Sequence, residues 1–303
     1  MGEITSTGMG SGLKINEMVT AIVGAEKDPV QKKIDADAKT ATDKISAFSA
    51  LNSSLSTFKS SYKELGYAST YSAVNIKSSD DGILTAKGGI GAQTGSYEFK
   101  VNQRAQAQTL VSGDTATFSN PNATVGTGKL TLRFGTYNAD GSFSVNADKT
   151  IKTITVDSSN NSLAGLRDTI NKTDNGVTAS IINDGSAYRL VLTSKETGEA
   201  NAIELTAADD DGNNTDTGGL SRFAYGASNK NMKQTSVAQN AQIEMNGITI
   251  TRSKNEIDSV IQGVTLNLNG VTEPGKVVKL TIGKDTSTIE SQIRGFMDTY
   301  NKT

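Results

Sequence analysis

The stretch that decides the fold is residues 30–65, VQKKIDADAKTATDKISAFSALNSSLSTFKSSYKEL. Apolar side chains recur in it every seven residues: Ile34, Ala41, Phe48, Leu55 and Tyr62. A second row follows three residues after the last three of these: Leu51, Phe58 and Leu65. No Gly or Pro interrupts the stretch before Gly66. The pattern predicts a helix of roughly 54 Å with the narrow apolar seam of a coiled coil.

Upstream of this stretch we expect a shorter amphipathic helix over 15–28. Its apolar residues are spaced for one face: Ile15, Met18, Val19, Ile22 and Val23. Asn16 is the expected N-cap, and Pro29 is expected to end or kink the segment. Residues 1–14 carry Gly8, Gly10 and Gly12 and are expected to form a mobile arm, since each Gly raises the entropic cost of ordering.

The other end of the chain supplies a matching helix. Its apolar face is predicted to contain Ile289, Ile293, Phe296, Met297 and Tyr300, with Thr286 or Ser287 as the N-cap. This helix is less than half as long as the 30–65 seam. Each large apolar side chain contributes roughly 1.5–3 kcal/mol when buried, so we expect the natural protein to continue and to cover the remainder.

Between the helices the apolar period changes from 3.6 to 2, which predicts strands. The predicted strands are Tyr71–Lys77, Ile83–Lys87, Tyr97–Gln103, Ala241–Met245, Ile248–Arg252, Val264–Asn269 and Val277–Ile282. Asn246-Gly247 indicates a type I′ hairpin between two of them.

The middle of the chain reads as a separate unit. Its predicted strands are Lys129–Phe134, Thr153–Asp157, Val177–Ile182, Tyr188–Thr193 and Ala202–Thr206. A short helix with Leu163, Leu166 and Ile170 is capped by Asn161-Ser162. Residues 207–235 are polar and contain few strand-forming residues.

The expected fold is therefore α+β and multidomain. A coiled-coil helical stalk formed by the two ends carries two nested, mainly antiparallel β-rich head domains. The predicted boundaries are a mobile arm at 1–28, a stalk at 29–70 and 285–303, a β-rich domain at 71–114 and 234–284, and an inserted outer α+β domain at 115–233.

Composition argues against most enzyme classes. The chain has 303 residues and contains neither Cys nor His, which removes thiolate catalysis, Ser-His-Asp triads and the commonest metal ligands. Its net charge of −2 gives no footprint for nucleic acid. Enzymes that use only carboxylates, Lys or Tyr stay open as the minority interpretation, and we expect no catalytic residue, metal or cofactor.

Two segments look like ligand-binding loops. Gly8–Gly12 lacks the preceding strand and the GK[S/T] ending of a phosphate loop. Asp209–Asn213 places its Gly at position 4 instead of position 6 of a calcium loop, so a solvated acidic turn is the favoured interpretation and weak ion binding the alternative. The N-terminus also lacks a cleavable secretory signal, which taken alone suggests a cytoplasmic protein.

Four linked motifs resemble those of the flagellar filament cap proteins, the hook-associated protein 2 or FliD family. Gly10–Val19, running into Ala25–Pro29, is similar to their N-terminal signature, although Lys14 stands where Asp is usual. The other matching segments are Phe99–Gln108, then Ser162–Asn171 with Gly176–Ile182, and last Ala238–Gln242 with Asn246-Gly247 and Gly263–Leu268. The resemblance covers the whole chain in order, and family members extend further at the C-terminus.

The resemblance implies a non-enzymatic, secreted assembly factor. It implies export through the flagellar type III channel on an uncleaved N-terminus, with a flagellar export chaperone. It also implies a homo-oligomer of four to six copies at the filament tip that holds exported flagellin while it folds into the lattice.

Site residues follow from the resemblance and the seam together. Export and lattice contact are assigned to Gly10, Gly12, Leu13, Ile15, Met18, Val19 and Ile22. Stalk packing is assigned to Phe48, Leu51, Leu55, Phe58, Tyr62, Leu65, Ile289, Ile293, Phe296 and Tyr300. The alternatives left open are a tip adhesin that binds host mucin or another host glycan, and a subunit of the hook–filament junction.

Overall fold

The computed structural model describes residues 14–67, 71 and 73–302. The chain divides into two compact units. One is helical and combines the residues up to Tyr71 with those from Thr286 onward. The other, Ser72–Asp285, contains the strands that the structure describes.

The helical unit begins with a single helix, α1 (Ile15–Gly66), of 52 residues. Of the two expected effects of Pro29, the end of a first helix is wrong, because α1 runs through it, and a kink stays a prediction. Proline removes one N–H, and the long helical segments on both sides outweigh that loss of about 3 kcal/mol. Asn16 is not the N-cap either. The Lys14 carbonyl accepts the N–H of Met18 at 3.0 Å, which places the cap at Lys14 and Asn16 inside the helix.

The last helix of the chain, Thr286–Lys302, belongs to the same unit; we label it α3, after the short helix α2 (Leu163–Lys172). Thr286 and Ser287, the two predicted N-cap residues, are its first two residues, and which residue caps the helix stays a prediction.

The β unit holds sixteen strands among the described residues. They are β1 (Val74–Ser78), β2 (Leu84–Gly88), β3 (Gly95–Gln103), β4 (Thr109–Ser112), β5 (Gly128–Tyr137), β6 (Phe143–Val145), β7 (Lys152–Val156), β8 (Val177–Asn183), β9 (Tyr188–Ser194), β10 (Ala202–Asp209), β11 (Met232–Ser236), β12 (Ala241–Met245), β13 (Ile248–Arg252), β14 (Glu256–Ile261), β15 (Val264–Leu268) and β16 (Val278–Lys284). Their pairings are antiparallel. This confirms a chain of mixed helix and sheet built on antiparallel pairs.

The strands form four sheets around two hydrophobic cores. One core lies between the sheet β1-β16-β3-β12-β13 and the sheet β14-β15-β2, and we call this part the first lobe. The second core lies among the sheet β10-β5-β6, which also carries β7 on β5, the sheet β11-β4-β9-β8, and α2; we call this part the second lobe. Phe99, Leu266 and Leu280 are buried in the first core, and Leu132, Leu166 and Phe223 in the second.

Two local predictions are confirmed. The Ser162 hydroxyl accepts the N–H of Gly165 at 3.0 Å and caps α2. Asn246 and Gly247 join β12 to β13 with φ of 49° and 85°, the left-handed values that a type I′ turn requires at both positions. In the part of the chain that the structure describes, no helix is both long and apolar enough to span a bilayer.

Candidate assembly surface

The candidate functional surface lies on α1, whose described residues include none that is buried. The heptad seam emerges as a row of apolar side chains on this helix, which we call the stripe. Exposed members of the stripe are Val30, Ile34, Ile45, Phe48, Leu51, Leu55 and Tyr62. A row of exposed large apolar side chains marks a candidate interaction site.

Helix α3 covers one end of the stripe. The ring of Phe58 lies 5.5 Å from that of Phe296 and 6.0 Å from that of Tyr300, centroid to centroid. Leu65 and Ile289 are half-buried, as are Phe58 and Phe296 themselves. The structure therefore brings Phe58, Phe296 and Tyr300 together, while Tyr62, Ile293 and Tyr300 keep much of their surface in solvent.

The upstream part of the stripe is open in the described chain. Phe48 is 70% exposed, Leu51 46% and Leu55 48%. The reason is one of length. At 1.5 Å per residue α1 extends about 78 Å and α3 only about 26 Å, so α3 covers a minor part of the seam.

The first turns of α1 carry the residues assigned to export and lattice contact. Ile15, Met18, Val19 and Ile22 are exposed on it. The other three assigned residues, Gly10, Gly12 and Leu13, lie outside the described residues. Further along the helix, a shallow depression of about 320 Å³ is lined by Val23, Glu26, Lys27, Val30, Gln31 and Ile34.

Several hydroxyl groups on α1 donate hydrogen bonds within the helix. Thr40 and Thr42 donate to the carbonyls of Ala36 and Ala38, and Thr57 donates to that of Ser53. Ser60 and Ser61 donate to backbone carbonyls in the same way. Because these groups already have partners, a second helix packed on the stripe would not have to leave them unpaired.

One member of the helix contact was not singled out from the sequence. Gln292 is half-buried on α3, and its Oε1 has no hydrogen-bond partner among the described residues. Its position in the sequence could have identified it: Gln292 comes three residues after Ile289 and four before Phe296, which places it on the apolar face.

Two ionisable side chains of the β unit have shifted pKa values, and both have structural roles. Burial raises the pKa of Tyr137, whose hydroxyl donates to the Ile203 carbonyl at 3.1 Å. The hydrogen bond from Arg189 lowers the pKa of Asp184 in the β8–β9 turn, and bonds from Ser186 add to the effect. Each of these groups stabilises a turn or a strand contact.

The acidic turn at 209–213 is held by its own hydrogen bonds. Asp209 Oδ2 accepts the N–H of Ser221 at 2.9 Å, and the Asn214 side chain accepts the N–H of Asp209 at 2.7 Å. Within the described ranges, no group of three or more acidic, His or Cys residues is arranged to hold a metal ion.

Comparison with protein families gives three matches. The model described as "Flagellar hook-associated protein 2 N-terminus" matches residues 11–108, and the corresponding C-terminus model matches 238–303. The "Flagellin hook IN motif" matches residues 137–196.

Among individual proteins, flagellar hook-associated protein 2 of Escherichia coli (strain K12) is 34% identical over 302 residues, covering 99% of this chain and 60% of that protein. The B-type flagellar hook-associated protein 2 of Pseudomonas aeruginosa is 30% identical over 307 residues, covering 98% of this chain and 61% of that protein. The chain thus spans about three fifths of the length of the curated relatives it matches.

Solved structures agree with these matches. The D1-D2-D3 domains of the flagellar cap protein FliD from E. coli align with a TM-score of 0.69 at 35% identity, covering 83% of this chain and 69% of that one. FliD (HAP2) from P. aeruginosa PAO1 aligns with a TM-score of 0.57 at 30% identity, covering 73% of this chain and 93% of that one.

Proposed function

The chain belongs to the flagellar hook-associated protein 2 family, and on that basis we propose that it is part of a flagellar filament cap. It acts as a homo-oligomer at the filament tip and promotes the insertion and folding of exported flagellin. The role is mechanical and non-enzymatic. The observation that carries the proposal is the stripe on α1, an apolar surface that needs a partner, in a chain with this family membership.

In this proposal α1 and α3 form a coiled-coil stalk, with boundaries at 29–70 and 285–303. The contact of Phe58 with Phe296 and Tyr300 supports that stalk. The β unit supplies two nested head domains, one from 71–114 and 234–284 and the other from 115–233. The two separate hydrophobic cores of the β unit support this division.

The exposed part of the stripe is the surface through which the stalk assembles in this proposal. Phe48, Leu51 and Leu55 become buried only when further helix packs on α1, so their burial couples the stalk to assembly. Fully burying side chains of this size contributes roughly 1.5–3 kcal/mol each, which is sufficient to drive a helix contact.

Export and lattice contact are assigned to the start of the chain, from Gly10 and Gly12 to Leu13, and onward along α1 through Ile15, Met18, Val19 and Ile22. The exposure of the last four supports a role in contacts made outside the folded unit. The proposed route is the flagellar type III channel, with an export chaperone as an intracellular partner and the filament tip outside the cell as the destination.

The test is the fate of flagellin in the native bacterium. A strain without this protein is expected to release unpolymerised flagellin into the medium, and the natural full-length protein is expected to restore filaments. Phe48→Glu/Leu55→Glu places charge on the stripe and should fail to restore them although it is still exported. The matched control is Lys39→Glu, a charge change on an exposed residue of the same helix away from the stripe. Normal filaments in the deletion strain would overturn the proposal.

A further inference from the structure

The two lobes of the β unit are joined by two crossings of the chain, at residues 105–108 and 237–240. The crossings pair with each other in one short antiparallel bridge. The Gln106 N–H donates to the Gln239 carbonyl at 2.9 Å, and the Gln239 N–H donates to the Gln106 carbonyl at 3.2 Å. A connection of two extended segments is the usual site of hinge motion between packed bodies.

Each end of the first crossing is anchored to one lobe. The Asn255 side chain, in the first lobe, accepts the N–H of Ala105 at 2.8 Å and donates to its carbonyl at 2.9 Å. In the second lobe, the Ser194 N–H donates to the Gln108 carbonyl at 3.0 Å, and the buried Gln108 side chain accepts the N–H of Ile203. The Ala107 carbonyl is also held by β11 of the second lobe, since the Ser236 hydroxyl donates to it at 3.0 Å. The rotatable bonds of this crossing therefore lie between the Ala105 carbonyl and the Ala107 carbonyl.

A segment of the second lobe also contacts the first lobe through hydrogen bonds, outside both hydrophobic cores. It is the segment Thr197–Glu199, which follows β9 and which we call the strap. Thr197 Oγ1 donates to the Ser253 carbonyl at 2.6 Å, and the Glu199 N–H donates to Asn240 Oδ1 at 3.1 Å. Asn240 Nδ2 in turn donates to Glu199 Oε2 at 3.2 Å. Ser253 lies between β13 and β14 of the first lobe.

The middle of the strap requires glycine. Gly198 has φ of 103°, and a Cβ atom there would lie 2.6 Å from Cβ of Ser253. Its N–H donates to the Gln106 carbonyl at 3.2 Å, so the strap also contacts the hinge segment itself. The backbone at this point therefore approaches the first lobe more closely than any residue with a side chain would allow.

We propose that the strap is a latch that fixes the angle between the two lobes. When it opens, the lobes rotate about Gln106 and Ala107 while both hydrophobic cores stay intact. The strap's hydrogen bonds to Ser253 and Asn240 lie at the exposed surface, and of its three residues only Gly198 is buried. The strap therefore belongs to the low end of the range of local opening free energies. The proposal concerns motion within the β unit and does not depend on the filament-cap role.

The test measures the distance between the lobes in the 303-residue chain. Because the chain has no Cys, Ser180→Cys and Thr281→Cys place one spin label on each lobe at exposed strand positions. Pulsed dipolar spectroscopy should give one narrow distance distribution for this labelled parent. Thr197→Val, which replaces the hydroxyl with a methyl group of similar size, should broaden and shift it. The same variant should speed amide exchange at the strap by about tenfold.

Three further variants make the result decisive. Thr197→Ser keeps the hydroxyl and should restore the narrow distribution, and Thr197→Val/Asn240→Ala should broaden it further. Thr193→Val is the matched control, because the hydroxyl it removes contacts Thr109 Oγ1 at 3.3 Å within the second lobe alone. A distribution that stays narrow in the double variant while strap exchange rises would overturn the latch. Equal broadening by Thr193→Val would overturn it too.

Discussion

The ring of Phe58 lies 5.5 Å from the ring of Phe296, and this pair joins helices from opposite ends of the chain. The two residues are separated by the whole β unit in sequence. Their contact shows that α1 and α3 fold as one unit. It also marks where coverage of the stripe stops, because Leu55 and Phe48, further from the end of α1, are exposed.

We expect Phe58→Ala and Phe296→Ala to destabilise the helical unit, with a coupling free energy of about 0.5–1.5 kcal/mol in the double-mutant cycle, as for other aromatic pairs. Urea unfolding followed by far-ultraviolet circular dichroism measures it. Phe48→Ala is the matched control: it removes the same ring from a site that is 70% exposed and should change the stability of this chain little. Equal losses at Phe48 and Phe58 would contradict the helix contact.

Gln292→Leu should stabilise the same unit by about 1 kcal/mol, because it removes a buried oxygen that has no hydrogen-bond partner. Gln31→Leu serves for comparison, since the Gln31 side chain is exposed and donates to Asp35 at 2.8 Å. It should give no gain. A fall in stability on Gln292→Leu would mean that this side chain is satisfied by water.

Ser162→Ala should destabilise the β unit by about 1 kcal/mol through loss of the cap on α2. In a unit of this size the loss lowers the melting temperature by roughly 2–4 °C, which calorimetry resolves. Ser162→Asp keeps an acceptor and should recover most of it. The exposed Ser180→Ala should have no effect, and a loss there equal to that at Ser162 would argue against capping as the cause.

We expect Asp184 to contribute to the loss of stability of the β unit at acid pH. Its hydrogen bonds with Arg189 and Ser186 lower its pKa in the folded state. A lowered folded-state pKa adds stability above the unfolded value of about 3.9 and loses it as the pH falls further. Asp184→Asn should therefore lower the melting temperature at neutral pH and flatten its decline below about pH 4. Asp210→Asn, at an exposed carboxylate in the same lobe, is the control, and an identical acid limb in both variants would contradict this role.

The spacing of apolar residues and the identity of turn-forming and capping residues were sufficient to predict much of the fold. Three elements depend on residues that are close in sequence: the α1 seam, the α2 cap and the hairpin at Asn246-Gly247. A single sequence is therefore sufficient to predict them. The prediction that the helix ends at Pro29 was wrong because the helix-forming segments on both sides outweigh the local effect of the proline.

Other elements depend on distant partners and left little local signal. β11 lies in a polar stretch and forms because β4, more than a hundred residues earlier, pairs with it. β14 lost its alternation to a bulge, where Ser259 has φ of 67°. The strap could not be predicted either, since Thr197, Gly198 and Glu199 acquire their role only from the positions of Ser253 and Asn240.

The central claim, that this chain belongs to a filament cap, is tested most directly by locating the protein on intact flagella. An epitope inserted at the exposed β8–β9 turn, beside Gly185, can be labelled with immunogold and viewed by electron microscopy. The proposed function predicts label at the distal tip of each filament. Label at the hook–filament junction, or distributed along the filament, would contradict it.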